Sequence, residues 1–114
     1  MEKPRKPRSG PDRPLDSLTL HVFDAARAIE SLRLAVGVRD DELAVIAAAR
    51  LRARLDQVES AYGQLDDSDR GEAVRLVRHL ERRAREALHE APSQLVGAAA
   101  ILRFLDRFGA RSER

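Results

Sequence analysis

The chain has no cysteine and no tryptophan, and only 4% of its residues are aromatic. Without cysteine there are no disulfides, no thiolate metal sites and no cysteine nucleophile. Lysine is also scarce: Lys3 and Lys6 stand near the N-terminus, and every other cationic side chain is Arg. A GC-rich bacterial genome produces that bias, so Arg abundance alone does not argue for phosphate binding. Long apolar runs are missing too. The longest uncharged stretch, Ala91 to Leu102, is too short to cross a bilayer, and the basic N-terminus is followed by no signal-peptide core. These absences predict a cytoplasmic protein with no membrane partner. There is no Gly-rich phosphate loop, no nucleophile elbow and no paired carboxylates of the kind that acid–base catalysis uses.

What remains is helical material. A chain of 114 residues has the size of one domain and can bury a core unaided. Charged residues make up 35%, above the usual ~25%. The excess positive charge is local. Within residues 1–14, Lys3, Arg5, Lys6, Arg8 and Arg13 outweigh Glu2 and Asp12 by three, so the chain's net +2 leaves −1 for the remainder. The same stretch holds four of the five prolines and no apolar residue after Met1. It cannot offset its ordering entropy by burial and is expected to be a disordered basic arm.

From Leu15 the pattern becomes periodic. Leu15, Leu18, Val22, Ala25, Ile29, Leu32 and Val36 alternate spacings of three and four, one stripe of a helix over residues 15–36. Asp12 or Asp16 suits its start, and Gly37 suits a left-handed close. Asp40 and Asp41 favour a second helix start. Its stripe is Ala44, Ala48, Leu51, Leu55, Val58 and Tyr62, with Gly63 as the stop. Asp69 with Glu72 resembles a capping box for a third helix over residues 69–91, with Ala73, Val77, Leu80, Ala84, Ala87 and Ala91 inward. Pro92 should end it. Ser93 then caps a fourth helix over residues 93–108, with Gly109 as its stop and residues 110–114 as a flexible tail. The expected fold is all-α: an antiparallel bundle of about four helices with near-heptad stripes, spanning residues 15–109.

Two of these helices carry more apolar surface than one stripe requires. The fourth has Leu95, Ala98, Leu102 and Leu105 along one line and Gly97, Ile101, Phe104 and Phe108 along another. The first has Leu20, Phe23 and Leu34 away from its main stripe. A helix that is apolar all round is buried on several sides. Either the fourth helix is central to the fold, or its surplus meets a second chain. This surplus supports a non-enzymatic module acting through protein–protein contacts, self-associating as a homodimer or binding another helical protein. Leu20, Phe23, Leu34, Gly97, Ile101, Phe104 and Phe108 would form the interface.

The alternative is nucleic-acid binding. Arg75, Arg78, Arg82 and Arg85 recur on the outer face of the third helix, and Arg at such spacing presents guanidinium groups to one side. The arm cations Lys3, Arg5, Lys6, Arg8 and Arg13 would add counterion-release affinity. The segment from Leu32 to Ile46, with Gly37 at its turn, resembles a helix-turn-helix of repressor-type DNA-binding domains. However, Asp40, Asp41 and Glu42 occupy the start of the would-be reading helix and would repel phosphate.

Catalytic and metal patterns are fragmentary. Glu86 and His89 match half of a di-iron carboxylate motif but fall opposite Ala84 and Ala87. Asp66, Ser68 and Arg70 resemble half of a calcium loop, with Arg at a ligand position. Arg83 and His89 have a spacing seen in some helical ribonucleases, a match that chance supplies in an Arg-rich chain. No cofactor, metal or small-molecule substrate is expected.

Overall fold

The structure is a computed structural model that describes the backbone of residues 14–112 and the side-chain environments of residues 14–109. Four helices pack as a bundle: α1 Pro14–Gly37, α2 Asp41–Gly63, α3 Asp67–Glu90 and α4 Ala98–Ser112. No strand occurs among the described residues. The expected disordered arm lies outside them, apart from Pro14, which opens α1. Proline fits there because its missing N–H belongs to a first turn that has no intrahelical partner.

The inward faces follow the sequence periodicity. In α1, Leu18, Val22, Ala25, Ile29 and Leu32 are buried, joined by Ala28 and Ala35. In α2 the buried set includes Ala44, Ala48, Leu51, Leu55 and Val58. In α3 it includes Ala73, Val77, Leu80, Ala84 and Ala87. Alanine at many inward positions lets the helices approach closely between the larger core side chains.

Cross-helix pairs fix the directions. Glu30 and Arg33 of α1 pair with Arg83 and Glu90 of α3, so these two helices run the same way. Arg85 pairs with Asp106, and Gly109 lies against Glu81, so α4 runs opposite to α3. Arg52 lies on Phe104 and Tyr62 on Phe108, so α2 and α4 run together. α1 packs side by side with α2 across a short connection, which makes those two antiparallel. α1 therefore lies between α2 and α3, and α4 closes the opposite side against α3 and α2.

The turns differ from expectation in instructive ways. Neither Gly37 nor Gly63 takes a positive φ; the left-handed residue after α1 is Arg39, at φ 59°. Arg39 N–H donates to Val36 O at 3.1 Å and Asp40 N–H to Ala35 O at 3.0 Å, the hydrogen-bond pair of a Schellman close. Asp40 then caps α2, its Oδ1 accepting from Leu43 N–H at 3.0 Å. One residue thus ends one helix and starts the next. α3 begins earlier than expected. Asp66, not Asp69, is the cap, and its Oδ1 accepts from Asp69 N–H at 2.8 Å.

The start of α4 is the largest correction. Ala91 is extended at ψ 155°, as a residue before proline should be. Ser93 caps nothing. Leu95 N–H donates to Pro92 O and Ala98 N–H to Leu95 O, two tight turns in place of a helix. Gly97 sits at φ 93°, a conformation that interrupts any helix started at Ser93. The first α-helical bond then runs from Ile101 N–H to Gly97 O at 3.1 Å. At the other end Gly109 is no stop, since α4 continues to Ser112. A Cβ at Gly109 would stand 2.6 Å from Glu81 Oε2, so glycine there makes room for a carboxylate. The expected flexible tail is accordingly helical as far as Ser112, and residues 113–114 lie outside the described residues.

Candidate interaction surface

α4 spends its surplus apolar surface inside the chain. Ile101 and Phe104 are each 1% exposed and Phe108 is 3% exposed. Phe104 lies between two guanidinium groups, Arg52 at 5.1 Å and Arg107 at 5.7 Å from its ring centroid. Phe108 meets Tyr62 edge-on at 5.7 Å and Phe104 at 5.8 Å. These three expected interface residues are therefore core. Gly97 is exposed, but its part is conformational, and the helix that comes near it is α2: a Cβ there would meet Ala48 Cβ at 3.9 Å.

The other expected anchors are on the surface. Leu20, Phe23 and Leu34 are 48%, 55% and 70% exposed. Leu34 does not stand alone. Val38, Leu43 and Ile46 are also half or more exposed, and all four line one groove between the C-terminal half of α1 and the N-terminal half of α2. Ala35 and Ala47 form its floor, and Ser31 and Arg50 lie at its border. The groove exists because α1 and α2 meet through small residues. The larger side chains of both helices then stand out on either side of the seam. Phe23 lies farther along α1 beside Ala26, Arg27, Glu30 and Arg83, where the Glu30–Arg83 ion pair flanks its ring. Val45 and Val96 are exposed around a separate cleft with Pro92 and Leu95.

Val38, Leu43 and Ile46 were not in the expected set. The signal was present, since all three lie off the main stripes, as Leu20, Phe23 and Leu34 do. Single exposed apolar residues are ordinary, whereas a contiguous set marks a contact site.

The arginine face of α3 is divided. Arg75, Arg78 and Arg82 are exposed, and none makes an ion pair among the described residues. Arg85 is occupied: it donates to Asp106 at 2.8 Å and to Glu81 at 3.1 Å. The hydrogen bond to Asp106 is the main cause holding its guanidinium pKa above the ordinary value, with burial opposing and Glu81 assisting. The arm cations expected to extend this face lie outside the described residues. Arg83 is paired with Glu30 rather than turned toward His89.

Among the described residues no three His, Asp or Glu side chains gather as metal ligands would. Glu86 and His89 are both exposed. No helix among those residues is long and apolar enough to cross a membrane. Comparison with protein-family models, with curated proteins and with solved structures finds no match to this chain.

Proposed function

We propose that the chain is a non-enzymatic interaction module whose working surface is the outer face of the α1–α2 hairpin. The observation that carries this reading is the groove lined by Leu34, Val38, Leu43 and Ile46, where four large apolar side chains stand exposed side by side. Those four side chains are each half or more exposed and adjoin one another, a contiguous apolar set of the kind that marks a contact site on a monomer. The partner is a protein, and self-association is the leading form. Phe23 and Leu20 extend the surface along α1.

The test separates surface from core. Leu34→Glu with Ile46→Glu should leave helix content and urea stability unchanged while abolishing association in sedimentation velocity. Ile101→Glu should unfold the chain instead. If the Leu34/Ile46 variant associates as the parent does, the groove is not the working surface.

A second reading rests on Arg75, Arg78 and Arg82, which make no ion pair among the described residues: a nucleic-acid contact on α3, with the basic arm adding to it. It predicts duplex DNA or RNA binding that weakens steeply with salt and falls when these three residues are neutralised. A flat anisotropy titration at low salt removes it.

A further inference from the structure

The groove's charge order indicates which protein docks there. On the face of α2 that carries Ile46, the exposed side chains include Glu42, Leu43, Ala49, Arg50 and Ala53. Glu42 and Arg50 stand four residues to either side of Ile46. At ~1.5 Å rise and ~100° per residue, each lies about 6 Å along the axis from Ile46 and about 40° around the helix from it. An acid, a central apolar residue and a base at equal spacing form a sequence complementary to its own reversal. We propose that the occupant is a second copy of this chain, docked with the two α2 helices antiparallel about a two-fold axis level with Ile46. This rests on the reading of the α1–α2 face as the working surface.

In that arrangement Ile46 meets Ile46 of the second copy at the centre. Glu42 of each copy comes level with Arg50 of the other, so an acid faces a base across the seam on either side of the central apolar contact. Leu43 of each copy lies on the aliphatic stem of the other's Arg50, a use of the Arg side chain that its hydrocarbon length allows. No like charges oppose one another along the two helices. A closed two-fold pair is the commonest form of self-association, and its interface must be self-complementary in this way.

The experiment uses charge reversal on the full chain. Glu42→Arg and Arg50→Glu, each alone, place two like-charge contacts in the homodimer and should weaken it at least tenfold by sedimentation velocity. Mixed in equal amounts, the two variants should recover association, because in the mixed pair both contacts again join opposite charges. The double variant Glu42→Arg/Arg50→Glu should also self-associate. Circular dichroism of each variant verifies that these exposed positions leave the fold intact. If Ile46→Glu abolishes association while the reversals change nothing, the face stands and the two-fold register is wrong. If the mixture stays as weak as the single variants, the register is likewise overturned. A parent chain that remains monomeric at millimolar concentration overturns the second-copy proposal altogether.

Discussion

Replacing Phe104 with Ala distinguishes core from interface more sharply than any other single substitution. The ring is 1% exposed and contacts Phe108, Arg52 and Arg107. Truncating a buried Phe to Ala costs about 3–5 kcal/mol, combining lost transfer energy with the cavity left behind. Loss of the cation–π contacts adds about 0.5–1 kcal/mol each where the guanidinium groups are partly solvated. A domain of this size has about 5–15 kcal/mol in total, so the variant should lose much of its stability and melt roughly 15–30 °C lower. Urea unfolding followed by circular dichroism gives the free-energy difference directly. If Phe104 instead served an external contact, its removal would cost less than about 1 kcal/mol in the dilute monomer, as surface substitutions do. That small value would refute the placement of α4 in the core.

Four further outcomes follow from the helix ends and the exposed face. Arg39→Gly should raise stability by about 1 kcal/mol, because Arg39 holds a left-handed φ that glycine adopts without strain; chemical denaturation checks it. Gly97→Ala should lower stability by about 1–2 kcal/mol despite the room near Ala48, since the cost is conformational. Asp40→Ala and Asp66→Ala should each lose about 0.5–2 kcal/mol as N-caps, read by urea unfolding. Phe23→Ser should leave the unfolding free energy of the dilute chain within about 0.5 kcal/mol of the parent, while weakening any association seen at high concentration.

The helices themselves were legible because burial in a bundle has a period that the sequence displays directly. The stripes through Leu18, Val22 and Ile29 and through Leu51, Leu55 and Val58 correspond to buried faces. The Asp40–Asp41 start of α2 was legible for the same kind of local reason, a side chain bonding to a backbone amide three residues on. The start of α3 was less so. Asp66, Asp67, Ser68 and Asp69 are all capable caps, and only the three-dimensional path of the turn selects Asp66. The start of α4 was not legible, because Ser93 follows Pro92 and offers a cap that the fold does not use. The decisive residue was Gly97, whose positive φ stops a helix from passing through it.

The candidate site was half legible. Off-stripe apolar residues flagged both Leu34 and Phe104, and the two have opposite fates. Which of them is covered depends on what packs across from it, and one-dimensional periodicity does not contain that information. α4 lies against both α2 and α3, so a second apolar line is consumed within the chain. Among the described residues the outer face of α1 and α2 has no such neighbour, and Val38, Leu43 and Ile46 join Leu34 there through the hairpin's geometry.

Concentration-dependent NMR tests the central claim most directly. Amide shifts of the isotope-labelled chain would be followed from micromolar to millimolar concentration. Progressive changes are expected over residues 31–38 and 42–50 and toward Phe23, with the α3 arginine face and the α4 core unmoved. Changes centred instead on Arg75, Arg78 and Arg82, or none on the α1–α2 face, would contradict that claim.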